Sequence, residues 1–263
     1  MRVISWVVAA FFACAVAHAD VTKPPAAGAT ASEIVRTIFE TDPWGLTAAS
    51  LTAHMILTDK NGSKSRLAFK TKARRIGANL HKVIARFSAP PELAGAGFLF
   101  VQKQDGDDDR FLFLPELKRA RRISGKLRST AFMGTDYSFA DVDRRDLRES
   151  TATMKGQERI GKWECYVLDV VPRRDDSGYS HAEFWVRKDN YLPLRMKMYD
   201  RAQKLLKVFE ASEVKRVSGR WFISKGRMIN KQRNHTTELV LDEISFSEEH
   251  PEEDFSVRAL ERL

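Results

Sequence analysis

Leu51-Thr52-Ala53-His54-Met55-Ile56-Leu57-Thr58 places Leu51, Ala53, Met55 and Leu57 at every second position, with Thr52, His54 and Thr58 between them. Side chains two apart share one face of a strand, so this period predicts a half-buried strand rather than a helix. Outward from it the rhythm repeats. Leu67, Phe69 and Thr71 alternate with Arg66, Ala68, Lys70 and Lys72, and Val83, Ala85 and Phe87 alternate with Lys82 and Arg86. It returns over Phe98–Val101, Arg110–Leu114, Glu158–Val171, His181–Val186, Leu194–Asp200, Leu205–Glu213, Trp221–Ile229 and Thr236–Phe246, giving about eleven strands. Turn residues separate many of them: Lys60-Asn61-Gly62, Asp105-Gly106-Asp107, Asp175 to Gly178, Lys188-Asp189-Asn190 and Ser218-Gly219. Short connections without a helical period between them predict an antiparallel meander in one large sheet or open barrel, a mainly β fold.

Helical signal is confined to the start, where Ser32 precedes Glu33, Ile34, Val35, Ile38 and Phe39 and predicts a capped amphipathic helix. Residues 20–31 read as a flexible lead-in and 32–263 as a single domain. Before them, Arg2, the apolar run Val3 to Val16 and Ala17-His18-Ala19 predict a cleaved secretory signal over residues 1–19. The apolar run falls short of the roughly 20 residues that span a bilayer as a helix. Cys14 lacks the residues that normally precede a lipidation site, so Cys165 is the one cysteine expected in the mature chain, which is expected to be periplasmic.

With 43% hydrophobic and 30% charged residues, the 263-residue chain is too apolar for a disordered protein and too polar for a multispanning membrane protein. Two cysteines exclude a disulfide scaffold. The formal net charge is +9, and a secreted protein is not expected to meet nucleic acid. The basic cluster Lys118, Arg119, Arg121, Arg122, Lys126 and Arg128 therefore reads either as a solvated face or as a surface for anionic lipid headgroups or an acidic partner, with peripheral membrane contact. This cluster lies in residues 115–150, which break the strand rhythm and read as a lid.

Chemistry-bearing patterns are missing. Asp105, Asp107, Asp108 and Asp109 lack calcium-loop spacing, the histidines form no metal pair, and neither a nucleophile elbow nor a phosphate loop occurs. We expect no enzyme, no metal and no cofactor. What stands out is a bulky, adaptable apolar set: Met55, Phe69, Phe87, Phe98, Phe100, Phe111, Phe113, Phe184, Met196 and Met198. A sheet of this size offers more apolar face than one or two short helices cover, so the set predicts a hydrophobic cavity suited to acyl chains.

Phe113-Leu114-Pro115-Glu116-Leu117-Lys118-Arg119-Ala120-Arg121-Arg122-Ile123-Ser124-Gly125, followed by Phe132-Met133-Gly134-Thr135-Asp136-Tyr137-Ser138-Phe139-Ala140-Asp141, resembles the signature of the outer membrane lipoprotein-sorting protein family. The likeness runs over roughly residues 35 to 255. It implies a LolA/LolB-like unclosed antiparallel β-barrel of about eleven strands with helices over its concave face, enclosing an apolar cavity. It also implies a monomeric carrier of lipid or lipoprotein acyl chains working with an inner-membrane transporter of the resistance-nodulation-division (RND) type. The other reading is a periplasmic sensor or adaptor that binds a protein partner. Known regulators of that kind usually carry a further C-terminal domain, and the last strand here is followed closely by Leu263.

Overall fold

The computed structural model describes residues 28–40, 48–77, 80–104, 108–123, 127, 129–138, 141, 150–173, 178–246 and 249–262. The expected signal peptide and most of the lead-in lie outside these residues, as do Asp105, Asp107, Lys126, Arg128 and Phe139. No described helix is long and apolar enough to cross a membrane.

Helix α1 (Ala31–Glu40) opens the described chain. Its cap is Thr30 rather than Ser32. Thr30 Oγ1 accepts from the Glu33 amide at 3.2 Å while Glu33 Oε2 accepts from the Thr30 amide at 2.8 Å, a reciprocal capping box. These hydrogen bonds hold the Glu33 carboxyl below its ordinary pKa.

Thirteen strands follow: β1 (Ala48–Thr58), β2 (Lys64–Arg75), β3 (His81–Ala89), β4 (Gly97–Val101), β5 (Asp109–Leu114), β6 (Arg119–Arg122), β7 (Thr151–Ile160), β8 (Trp163–Val171), β9 (Tyr179–Arg187), β10 (Pro193–Asp200), β11 (Leu205–Val217), β12 (Arg220–Asn230) and β13 (His235–Ser245). A short helix, α2 (Val257–Glu261), ends the fold. All thirteen strands form one sheet in the order β6-β5-β4-β3-β2-β1-β13-β12-β11-β10-β9-β8-β7, and every pairing is antiparallel.

Two features raise the count from the expected eleven. Glu158–Val171, read as one strand, is a hairpin broken at Gly161-Lys162, where Gly161 adopts φ +57° and Ile160 pairs with Trp163. That backbone region is open to glycine at little cost. The second is Arg119–Arg122, which pairs with β5 despite its charge. An edge strand needs no buried face, and charge on an edge discourages sheet-to-sheet association.

β1 pairs with both β2 and β13, so the first and last strands meet in the middle of the sheet. The free edges are β6 and β7, which are consecutive in the chain. Their connection must therefore travel from one edge to the other. Described residues of this connection lie on the face that carries Met55: Phe132 and Tyr137 are buried in its cluster, and the Phe87 and Phe132 rings sit 6.2 Å apart.

Register assigns the two faces. The inner one joins Met55, Phe69, Phe87, Phe98 and Leu112 through successive strand pairs, and Met228, Phe209, Met196, Phe184 and Leu168 on the other side. Ile34, Val35 and Ile38 of α1 belong to the same buried cluster. The expected helices over the inner face thus reduce, among the described residues, to α1 and the crossing segment. α2 instead packs on the outer face, where Phe255 and Leu260 join Ile84, Leu99 and Phe113 in a second cluster.

Candidate functional site

The inner apolar layer brings together eight of the ten residues expected to face acyl chains. Met55, Phe69, Phe87, Phe98, Phe100, Phe184, Met196 and Met198 are all buried and belong to one cluster. Phe111 and Phe113 do not join it. Pairing of Leu99 with Phe111 and of Gly97 with Phe113 turns both to the outer face, and the inner face of β5 is carried by Arg110 and Leu112. Alternation shows which residues share a side but not which side is inner, because a one-residue phase change reverses every side chain.

Described residues of the crossing segment cover part of the inner layer. Phe132 is 1% exposed and Tyr137 2%, so the crossing segment lies on the methionine and phenylalanine side chains as a plug, with Met133 packed beside them. A Cβ on Gly134 would stand 3.9 Å from Leu57 Cδ2, which places this backbone directly above β1.

What holds the segment is a polar cluster at the β11–β13 side. Lys207 Nζ donates to Asp141 Oδ2 at 2.6 Å and to the Asp136 carbonyl at 3.0 Å. Both members of the ion pair are buried. Tyr179 Oη donates to Asp141 Oδ1 at 2.6 Å, and the Ser138 amide donates to Asp141 Oδ2 at 2.6 Å. Asp136 is tied from the other direction: its Oδ2 accepts from Thr237 Oγ1 at 2.8 Å and lies 2.6 Å from His235 Nδ1. A small pocket of about 210 Å³ adjoins this cluster, lined by Thr135, Tyr137, Tyr179, Lys207, Asn230 and Arg233.

These latch residues escape a reading by composition, yet one signal was available. Lys207 stands in the same phase as Phe209 and Ala211, an inward-facing cation on an apolar strand face. Burying such a charge is costly unless it is paired, so an in-phase lysine announces a buried carboxylate elsewhere in the chain.

The basic residues occupy a different place. Lys118 takes a left-handed conformation (φ 50°) after the Pro115–Leu117 turn, and Arg119, Arg121 and Arg122 are exposed on the β6 edge. Arg122 pairs with Asp109, which also meets Lys103 at 2.8 Å. Partial burial acts against the charged Asp109 carboxylate, but the donors from Lys103 and Arg122 outweigh it and hold its pKa below the ordinary value. The Ala120 amide donates to Glu261 Oε1 at 2.7 Å, so α2 covers part of this edge.

Nothing in the described residues forms a group of three His, Cys, Asp or Glu able to hold a metal ion. Cys165 is fully buried, and burial pushes its thiol pKa up to about 11, opposite to what a thiolate nucleophile requires.

This open antiparallel sheet has the same fold as solved structures described as outer membrane lipoprotein-sorting, DUF1329 and LolA superfamily proteins. The chain belongs to the family of uncharacterized proteins whose model matches residues 79–262. A domain from Vibrio parahaemolyticus, assigned as a candidate outer membrane lipoprotein-sorting protein, is 28% identical with a TM-score of 0.80, covering 88% of this chain and 98% of its own. A DUF1329 family protein from Desulfovibrio piger is 24% identical with a TM-score of 0.79, covering 88% and 97%. A LolA superfamily protein from Nitrosomonas europaea has a TM-score of 0.67 at 15% identity, covering 87% and 98%. No curated protein sequence matches.

Proposed function

We propose that this protein is a periplasmic carrier that shelters the acyl chains of a lipid or lipoprotein against the inner face of its sheet and exchanges them with an inner-membrane transporter. The observation that carries the proposal is the crossing segment, whose Phe132 and Tyr137 cover a continuous layer of methionine and phenylalanine. Displacing that segment would uncover an apolar surface while leaving the sheet's own hydrogen bonds intact.

Magnitudes favour exchange of this kind. Uncovering two aromatic side chains costs roughly 3–6 kcal/mol, whereas each acyl methylene removed from water contributes about 0.8 kcal/mol. About ten buried methylenes therefore offset the exposure of these aromatics, and a second chain offsets release of the Lys207–Asp141 contact as well. Methionine at 55, 196 and 198 suits a flexible cargo, because its unbranched, polarisable side chain repacks easily. The exposed arginines of β6 would meet an acidic headgroup or an acidic patch on an RND-type transporter, and charge so placed mainly accelerates encounter. Binding alone does this work, and no chemical step is required.

A fluorescent fatty acid tests the proposal. Wild-type protein should take it up, Met196→Asp should bind at least tenfold more weakly while keeping its β circular dichroism, and Phe132→Ala should speed uptake. If Met196→Asp binds like the wild type, or if the wild type takes up no fatty acid, the proposal fails. Should Met196→Asp not fold, unchanged uptake by Phe132→Ala would be equally decisive against it.

A further inference from the structure

The outer face carries a second concavity, remote from the inner layer. It has a volume of about 360 Å³ and lies between β2, β3 and the C-terminal helix, with Lys70, Lys72, Ile84, Arg86, Asp254, Ala259 and Arg262 around it. Register puts these side chains together: Lys70 pairs with Arg86, and Lys72 with Ile84, on the face opposite Phe69 and Phe87.

Among the described residues, four cations surround this space against one carboxylate. Asp254 answers Lys72 at 2.9 Å. Arg86 is satisfied only by neutral oxygens: Nη1 donates to Gly95 O at 3.1 Å, and Nη2 to the carbonyls of Ala259 and Arg262, each at 2.7 Å, and of Leu260. Its hydrogen bonds are made, but among the described residues no carboxylate pairs with its charge. Burial lowers its pKa, as expected for a cation held away from water without a counter-ion. Lys70 and Arg262 are exposed and likewise have no carboxylate partner among the described residues.

The space is built rather than incidental. At Gly97 an added Cβ would stand 2.7 Å from Arg86 Nη1 and 2.9 Å from Leu260 Cδ1, so the absence of a side chain there lets the guanidinium and α2 seat together. Phe255 and Leu260 anchor the strand-to-helix segment in the outer apolar cluster. The walls are Ile84, Ala259 and the lysine stems, while charge is concentrated on the side-chain tips.

We propose that this outer pocket binds a phosphate group, with Lys70, Lys72 and Arg262 supplying the direct contacts and Arg86 an uncompensated background charge. The phosphate has two sources of the same chemistry, the headgroup of an anionic lipid or a free phosphate ester. The site is independent of acyl-chain carriage on the inner face.

Calorimetric titration of the full chain with inorganic phosphate, and separately with dihexanoylphosphatidylglycerol below its micelle concentration, tests the proposal. Wild-type protein should bind at least one of them. Lys70→Glu/Arg262→Glu should weaken that binding at least tenfold, and Asp254→Asn, which removes the competing carboxylate, should tighten it. Tighter binding of the lipid than of phosphate identifies a headgroup; equal affinity identifies the phosphate ester alone. Both substituted cations are exposed, so the variant should fold, and its uptake of fatty acid on the inner face should be unchanged. No binding of either probe, or equal affinity in wild type and the double variant, overturns the proposal. If the double variant does not fold, Asp254→Asn binding no more tightly than wild type overturns it instead.

Discussion

Lys207 shows how one residue can connect the sheet to the segment above it. Its ammonium is buried against Asp141 and the Asp136 carbonyl, and its neighbours in phase are apolar. Removing one member of a buried ion pair typically costs about 3–5 kcal/mol, because the remaining charge is stranded, whereas replacing both by apolar groups is often neutral. Lys207→Met alone should therefore lower the urea midpoint strongly, and Lys207→Met with Asp141→Leu should recover part of the loss, the remainder reflecting the acceptor lost to Tyr179 Oη and the Ser138 amide. Equal destabilisation in the single and double variants would show that Asp141 does not depend on Lys207. Cys165 illustrates the opposite outcome at this scale: a residue with reactive chemistry is made inert by its surroundings, buried with its thiol pKa raised.

At the scale of elements, β7, β9 and β10 are stitched together on the side remote from the basic edge. Glu183 of β9 accepts from Lys155 of β7 at 2.9 Å and from Tyr199 of β10 at 3.1 Å. Partial burial opposes the Glu183 charge, yet the Lys155 and Tyr199 donors prevail and hold its pKa below the ordinary carboxylate value. A carboxyl with a lowered folded pKa stabilises fully above its unfolded value, about 4.3, and loses that contribution as pH falls through the folded pKa. Stability should accordingly decline on acidification below about pH 5, and Glu183→Gln should reduce the steepness of that decline. Urea titrations between pH 3 and pH 7 would measure it; identical slopes in the two proteins would remove Glu183 from the account.

For the whole molecule, the decisive property is a sheet whose two edge strands follow one another in sequence. A chain leaving β6 and entering β7 has to travel from one edge to the other, and Phe132 and Tyr137 of this connection lie on the apolar face. The proposed function requires a second arrangement of residues 129–138, displaced from the inner layer by cargo. If the segment is a lid, a long-chain fatty acid should raise amide hydrogen exchange in residues 129–138 while β1, β2 and β3 remain protected. Unchanged exchange in 129–138 at saturating fatty acid would mean that cargo, if bound, enters elsewhere.

Alternation along individual strands was enough to establish a mainly β fold, and the short connections between them an antiparallel sheet, because side-chain period and turn residues are local properties that sequence displays directly. The central motif from Phe113 to Asp141 likewise carried the family resemblance on its own. Local period could not reveal the hairpin at Gly161-Lys162 or the edge strand Arg119–Arg122, since a tight glycine turn leaves the flanking alternation unbroken and an edge strand tolerates charge. Nor could it orient Phe111 and Phe113. They share a strand with Leu112, and only pairing with β4 decides that Leu112 faces the inner layer while the two phenylalanines lie under α2. Contacts such as Lys207 with Asp141 and Arg86 with the carbonyls of Ala259, Leu260 and Arg262 join positions 66 and about 175 residues apart. Tertiary structure alone decided these, because the cost of burying each charge is met by a partner that no local pattern places beside it.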